Sequence, residues 1–192
     1  MDREQLVTKV GRLGRCIGRR VFMVMLLLSL LFSNAAVASD GVERAGEILS
    51  VLLPVSGAGI ALARDDREGL TQLAKSGALT LALTLAMKYT IPATRPDGGD
   101  HSFPSGHTSV AFSSAEFIRE RYGWNYGFPA YVAASYAGYS REESKRHYTR
   151  DVIAGAVIGI GSSFLFTKPY KDWLMQPAVA GSLYGITFSH VW

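Results

Sequence analysis

Three residues between positions 140 and 151 have the types and spacing of a nucleophilic site. Arg141 is followed six positions later by His147, and Asp151 comes four positions after that. The apolar run at 152–166 predicts a helix, and if that helix begins near His147, Asp151 lies one turn further along the same face. A carboxylate there accepts the proton of one imidazole nitrogen and leaves the other nitrogen to attack. The segment therefore predicts an oriented histidine nucleophile beside an arginine that holds an anion.

Two upstream segments supply groups that bind an oxyanion. Residues 102–108 place Ser105 and Gly106 directly before a helical pattern, so that backbone N–H groups and the positive helix end face an anion. Lys88 ends an apolar run and Arg95 lies in the loop after it. With the arginine described above, they supply three positive charges, which match a phosphoryl group whose charge must be stabilised as it transfers.

The three segments together resemble the signature of the type 2 phosphatidic acid phosphatase (PAP2) and vanadium haloperoxidase superfamily. All three parts occur in the family's order and at family-like spacing. They are Lys88-(x6)-Arg95-Pro96, then Pro104-Ser105-Gly106-His107, then Ser140-Arg141-(x5)-His147-(x3)-Asp151. The resemblance covers about residues 45–167 and implies an all-α fold, a helical bundle of the PAP2/chloroperoxidase type.

The resemblance also implies a role for each residue of the signature. His147 is expected to attack phosphorus and form a phosphohistidine, with Asp151 orienting it. His107 is expected to protonate the leaving oxygen and later to activate water. The expected ligands of the phosphoryl oxygens are Lys88, Arg95, Ser105, Gly106 and Arg141. No metal or other cofactor is implied, and vanadate is expected only as an inhibitor that mimics phosphate.

The function implied is a metal-independent phosphatase for a phosphomonoester or pyrophosphate, with a phosphorylated membrane lipid or a small phosphoester as substrate. Two alternatives stay open: a vanadium-dependent haloperoxidase that holds vanadate with the same residues, and a phospholipid-binding protein without catalysis. Only seven residues separate Pro96 from Pro104, which leaves little room for an insertion that caps the substrate. This short loop argues against tight specificity.

The first 38 residues have the order of a secretory leader. Arginines precede the apolar run at 21–32, and Ala36-Val37-Ala38 gives an A-x-A cleavage site. We therefore predict a signal peptide over 1–38, with an uncleaved membrane anchor as the alternative, and export in both cases. The single cysteine, Cys16, precedes the apolar run and leaves with the leader, so no disulfide is expected.

The charge of the chain is concentrated in this leader. It holds six Lys/Arg and two Asp/Glu, which accounts for the whole formal charge of +4, and the remainder has fourteen of each. The basic isoelectric point therefore indicates no nucleic-acid partner.

Residues 39–192 are predicted to form a single PAP2-like domain, with a core at about 45–167 and a tail at 168–192. Helices are predicted at about 42–53, 55–63, 67–89, 105–121, 128–139 and 148–166, and one extended strand at the end of the tail. The stretch at 122–127 is predicted to be a turn, and His101 a solvated loop residue. The charged residues at 142–146 are interpreted as a solvated surface.

The apolar stretches of the predicted mature chain are mostly shorter than the roughly 20 residues that a spanning helix needs. This favours an exported, periplasmic helical bundle that rests on a membrane surface, with integration in the inner membrane as the alternative. The oligomeric state cannot be predicted from the sequence.

Overall fold

A computed structural model describes residues 39–170, 173–180 and 183–190, with side chains over 41–170. Its helices are α1 Ser39–Ala63, α2 Arg67–Thr90, α3 Gly106–Tyr122, α4 Trp124–Glu143 and α5 Thr149–Phe166. Two short strands follow, β1 Trp173–Ala180 and β2 Leu183–His190. The prediction of a helical bundle with an extended tail is confirmed, while the predicted leader at 1–38 lies outside the described residues.

Helix α3 is the central element of the bundle and packs against each of the other four helices. Its large buried side chains are Phe117 and Ile118, which meet Leu53 of α1. Most of the remaining core is alanine, namely Ala111, Ala115, Ala130, Ala134 and Ala137. Small side chains along α3 and α4 let the helix backbones approach closely, which compensates for the small number of large apolar groups.

Glycines bring α5 directly against α3. A Cβ on Gly155 would lie 2.5 Å from the carbonyl oxygen of Ser105, and one on Gly159 would collide with the carbonyl oxygen of Ser109. The Ser105 N–H donates to the carbonyl oxygen of Asp151 over 3.0 Å. The close approach therefore sets the first turn of α5 beside the start of α3.

Three boundaries differ from the predicted ones. Helix α1 runs through Pro54 without a break, because Leu53 and Ala61 are both buried on one continuous face, and this burial offsets the backbone hydrogen bond that proline removes. The predicted turn at 122–127 shrinks to Gly123, whose φ of 87° separates α3 from α4. The tail forms two antiparallel strands rather than one.

A buried ion pair ties together the end of the bundle formed by the α1–α2 turn and the last turn of α3. Arg121, only 5% exposed, donates to both carboxylate oxygens of Asp66. Its guanidinium also donates to the carbonyl oxygen of Lys168 over 2.8 Å, and the Tyr122 hydroxyl donates to Asp66. The cluster joins the α1–α2 turn to the segment that follows α5.

Two helices of the described chain, Gly41–Ala63 and Thr149–Phe166, are long and apolar enough to cross a membrane. The sequence prediction underestimated the first of them because it divided α1 at Pro54. Large apolar side chains are exposed on four helices, among them Val51, Val55, Leu81, Leu85, Phe128, Val132, Ile153, Val157, Phe164 and Leu165. Such an extensive exposed apolar surface is typical of a protein that contacts lipid, and the protein is membrane-associated.

Candidate active site

The predicted site residues all lie at one end of the bundle. Lys88 is in the last turn of α2 and Arg95 in the loop after it, while Ser105, Gly106 and His107 begin α3. Arg141 is near the end of α4, His147 is in the α4–α5 loop, and Asp151 is in the first turn of α5. Since successive helices alternate in direction, these termini meet at the same end.

His147 precedes α5 instead of lying on it, which corrects the prediction that it shares a helix face with Asp151. The helix begins at Thr149, and Asp151 accepts a hydrogen bond from the Tyr148 N–H in a capping box. The distance from His147 Nδ1 to Asp151 Oδ2 is 3.7 Å, which is longer than a hydrogen bond. The carboxylate still faces the imidazole, but the capping turn rather than helical periodicity places it there.

Ser102 is a second anchor for Asp151 that the sequence analysis did not identify. Its hydroxyl donates to Asp151 Oδ2 over 2.5 Å, and both side chains are fully buried. The Ser102 N–H donates to the carbonyl oxygen of Ala93, which ties this position to the loop after α2. Asp151 Oδ1 has no hydrogen-bond partner among the described residues.

His147 is held in its neutral form. Burial, followed by the positive charges of Lys88 and Arg95, lowers the pKa of the imidazole to about 4, although Asp151 and the Ser102 backbone act in the opposite direction. The side chain is only 5% exposed. A neutral imidazole has a lone pair with which to attack, as a nucleophile requires.

His107 is exposed at the start of α3, where it faces the same cations. Although the residue is exposed, partial desolvation of its imidazole is the largest cause that lowers its pKa, followed by the charge of Arg141. Lys88 and Arg95 contribute less, while Glu47 acts to raise the pKa. Lys88 and Arg95 therefore act on both histidines. The two imidazoles share one electrostatic environment, as expected for groups that serve one pocket.

Lys88 and His101 hold each other through reciprocal contacts. The Lys88 ammonium donates to the carbonyl oxygen of His101 over 2.7 Å, and the His101 imidazole Nδ1 lies 2.9 Å from the Lys88 carbonyl oxygen. His101 adopts a positive φ of 57°. His101 is an exposed loop residue, as predicted, and the structure adds its contacts with the lysine.

Arg95 is placed by a tight turn. Its N–H donates to the carbonyl oxygen of Gly99 over 2.7 Å, and the Gly98 N–H donates back to the Arg95 carbonyl oxygen over 3.0 Å. The Arg95 Nε is buried and donates to no group among the described residues. A buried guanidinium donor of this kind is suited to an anionic oxygen from a ligand.

The start of α3 has room for a ligand. A Cβ built on Gly106 would meet only a methyl group of Thr84, at 3.8 Å, so the backbone at this position is open. Ser105 precedes the helix, and its hydroxyl pairs with that of Thr108 over 2.9 Å. The N-terminus of a helix attracts an oxyanion through its free N–H groups and dipole.

Arg141 is 2% exposed and is anchored by α1. Its guanidinium donates to the carbonyl oxygen of Glu43 over 2.5 Å, to Glu47 Oε1 over 3.3 Å and to the Ser140 hydroxyl over 3.2 Å. The sequence analysis did not connect α1 to the site. The only available signal was the pair of acidic residues four positions apart, which fall on one helix face.

Arg146 connects three segments around the site. It forms ion pairs with Glu43 over 2.8 Å and with Asp97 over 3.0 Å. These contacts join α1, the α4–α5 loop and the loop that carries Arg95. Arg146 is exposed, as the interpretation of residues 142–146 as a solvated surface predicted. That interpretation missed the two ion pairs, because the acidic partners lie far away in sequence.

No cluster of three or more His, Cys, Asp or Glu side chains within the described part of the chain is arranged to hold a metal ion. Lys88, Arg95 and Arg141 supply positive charge at the site. PAP2 lipid phosphatases act without a metal ion.

The comparisons with known proteins agree with one another on the family. The model of the PAP2 superfamily matches residues 69–174, which is more than half of the chain. The lipid A 4'-phosphatase of Helicobacter pylori is 30% identical over 87% of this chain and 97% of its own length. The lipid A 1-phosphatase of Porphyromonas gingivalis is 42% identical over 44% of this chain, but only 21% of that protein is covered.

The fold also matches a solved structure. The transmembrane PAP2-type phosphatidylglycerolphosphate phosphatase of Bacillus subtilis superposes with a TM-score of 0.53 and 25% identity, covering 78% of this chain and 93% of that one. The family model, the full-length relative and the fold agree. The chain therefore belongs to the PAP2 superfamily and is a phosphoric ester hydrolase.

Proposed function

We propose that this chain removes a phosphate group from a phosphorylated membrane lipid of the lipid A class by transferring it to His147. The observation that carries the proposal is the pairing of a buried, neutral His147 with Asp151, whose carboxylate lies 3.7 Å from Nδ1. Lys88 and Arg95 lie near this pair, and their positive charges lower the pKa of both His147 and His107.

The first step forms a bond between His147 Nε2 and phosphorus and breaks the ester P–O bond. Asp151 faces Nδ1 and stabilises the positive charge that develops on the imidazole. The leaving oxygen takes a proton from His107, and the dephosphorylated lipid departs as an alcohol. The cations Lys88 and Arg95 stabilise the negative charge on the transferring phosphoryl group, together with Arg141 and the start of α3.

The second step releases phosphate. Water gives a proton to His107 and attacks phosphorus, and the P–N bond to His147 breaks as inorganic phosphate leaves. His147 returns to its neutral form and His107 is again protonated, so the enzyme is ready for another substrate.

The lipid class is supported by the relatives and by the openness of the site. Two of the proteins named above are lipid A phosphatases, and one of them aligns along almost its whole length. The loop between Pro96 and Pro104 is short, and His107 is exposed. A bulky headgroup therefore has space to bring its phosphate to the pocket.

The location of the site favours a lipid substrate as well. The exposed apolar side chains of α1, α2, α4 and α5 cover the sides of the bundle, while the site lies at the end of the bundle where both candidate spans begin. A bundle immersed in a bilayer in this orientation would present the site near the lipid headgroups. We further propose that this face is the periplasmic one, because the order of residues 1–38 is that of an export leader.

The test is release of inorganic phosphate by the full-length protein in detergent, measured on a panel of substrates. The panel contains lipid A, phosphatidate, phosphatidylglycerolphosphate, undecaprenyl pyrophosphate and p-nitrophenyl phosphate. We expect lipid A to be the best substrate, activity to persist with a chelator, and vanadate to inhibit. A His147→Ala protein that keeps full activity would exclude the mechanism, and preference for the soluble ester would exclude the substrate class.

A further inference from the structure

Most of the N–H donors of the Arg141 guanidinium are already engaged by neighbouring residues. A guanidinium has five N–H groups, and the hydrogen bonds to Glu43, Glu47 and Ser140 engage all three of its nitrogen atoms. Since each of these contacts uses one N–H, two N–H groups are left over by the hydrogen bonds that Arg141 makes within the described part of the chain. Helix α1 therefore fixes the plane of the guanidinium before any phosphate arrives.

Glu47 differs from Glu43 in its exposure. The Glu47 side chain is 47% exposed, whereas that of Glu43 is 19% exposed and is shared between Arg141 and Arg146. Glu47 therefore presents a carboxylate at the accessible side of the site. A negative charge in this position weakens the binding of an anionic substrate, so its presence needs a compensating role.

The compensating role is the effect of Glu47 on the charge of His107. The groups that act on its charge are Arg141 on α4, Lys88 on α2, Arg95 in the following loop and Glu47 on α1. Burial and the three cations all favour the neutral imidazole, and Glu47 is the one group among these that favours the charged form. A general acid must carry a proton when the ester bond breaks.

The geometry points to Glu47 as a positioning residue of this phosphatase: its carboxylate holds the Arg141 guanidinium and stabilises the protonated imidazole of His107, which gives its proton to the leaving oxygen. The inference rests on the proposed function, because it assigns the acid role to His107. It predicts that Glu47 favours turnover at the expense of anion affinity.

The first test uses substrates that differ in their need for an acid. An alkyl phosphate has a poor leaving group that must be protonated, whereas p-nitrophenolate leaves without much help. For Glu47→Gln we expect kcat on detergent-dispersed phosphatidate to fall by roughly tenfold or more, and kcat on p-nitrophenyl phosphate to fall by roughly threefold or less. The matched control is Glu43→Gln, which alters another carboxylate on the same helix beside the same arginine and should affect both substrates equally.

The second test measures anion binding and the pH profile. Because Glu47→Gln removes a negative charge near the site, it should lower the inhibition constant of vanadate by roughly threefold to tenfold. It should also move the alkaline limb of the kcat profile on phosphatidate to lower pH, because the protonated form of His107 loses its support. Glu47→Asp keeps the negative charge, so the alkaline limb of its kcat profile should lie closer to that of the wild type than the limb of Glu47→Gln does.

The outcomes separate the inference from the proposed function. If the wild-type protein releases no phosphate from any of these esters, the proposed function fails. Suppose instead that the wild type is active and that Glu47→Gln loses the same share of activity on both esters. If this variant also binds vanadate more weakly and keeps the alkaline limb of the wild-type kcat profile, the role of Glu47 is only structural. If Glu47→Gln does not fold, the same comparison is made between Glu47→Asp and Glu43→Asp, and equal behaviour of these two overturns the inference.

Discussion

The Ser102 hydroxyl donates a 2.5 Å hydrogen bond to Asp151 Oδ2, the carboxylate oxygen that faces His147. The loop after α2 thus holds the carboxylate to which the proposed mechanism assigns the orientation of His147, although Ser102 and Asp151 are far apart in sequence. A buried hydroxyl in this position fixes the rotamer of the carboxylate without taking its charge. We therefore expect Ser102 to influence the reaction through Asp151, and not by touching the substrate.

We predict that Ser102→Ala lowers kcat while the protein stays folded. Loss of a hydrogen bond to a charged group costs about 1.5–3 kcal/mol, and roughly a tenfold loss of kcat is expected if part of this appears in the transition state. The matched control is Ser114→Ala, which removes a partly buried hydroxyl that bonds only to the Val110 carbonyl oxygen among the described groups. Equal kcat values for the two variants would show that Asp151 does not depend on Ser102.

The proposed phosphohistidine can be tested by direct detection. Substitution of the nucleophile, His147→Ala, should reduce phosphate release by a factor on the order of 10³ or more, as removal of a catalytic nucleophile does elsewhere. His107→Asn should slow the water step more than the first step when the substrate is p-nitrophenyl phosphate, whose leaving group needs little acid. The measurement is covalent ³²P labelling of the protein after an alkaline quench, since phosphohistidine survives base.

A His107→Asn protein should therefore accumulate label that His147→Ala lacks. Label on a protein that carries both His107→Asn and His147→Ala, or equal label on all variants, would contradict the assignment of His147 as the attacking group.

The pH dependence of kcat follows from the two imidazoles. His147 must be neutral to attack, and because its pKa is lowered to about 4, activity should rise as the pH increases through that value. His107 must be protonated to act as the acid, and because its pKa lies below the ordinary value, activity should fall before neutral pH is reached. We expect an acidic optimum on an alkyl phosphate substrate, measured as kcat between pH 3 and 9.

With p-nitrophenyl phosphate the alkaline limb should be weaker, because the first step needs less acid. A profile that rises continuously to pH 9 on phosphatidate would show that His107 is not the acid.

The buried pair at the other end of the bundle should control stability and not chemistry. Burial alone raises the pKa of Asp66, but hydrogen bonds from Arg121, the Gly69 backbone and Tyr122 outweigh it and lower the pKa below its ordinary value. A carboxyl with a lowered pKa stabilises the folded state above its unfolded pKa, and this contribution disappears as the pH falls through the folded value. Asp66→Asn leaves Arg121 buried without a counter-charge, and we expect a loss of about 3–5 kcal/mol.

Its neighbour offers a matched control. The Asp65 side chain is 93% exposed and lies 3.9 Å from Arg67, so Asp65→Asn should leave the melting temperature unchanged. Thermal unfolding in detergent measures both variants. Similar melting temperatures would contradict the assignment of Asp66 as a buried anchor.

The sequence by itself determined the family and most of the helices. The three motif segments identified Lys88, Arg95, His107, His147 and the other predicted residues, because spacing within a short segment is preserved when that segment folds. Helix α2 was predicted to end one residue before its observed end at Thr90, since apolar periodicity and a helix-ending loop are local signals.

The tertiary structure decided what surrounds these residues. It placed His147 before α5 rather than on it. It brought Glu43 and Glu47 into contact with Arg141, an arginine nearly a hundred positions away. It also placed the carbonyl oxygen of His101 where it accepts a hydrogen bond from Lys88. None of these contacts follows from a local pattern, because each depends on which helix ends meet when α3 is enclosed by its neighbours. Periodicity shows which face of a helix is buried, but only packing shows which charged side chain lies opposite it.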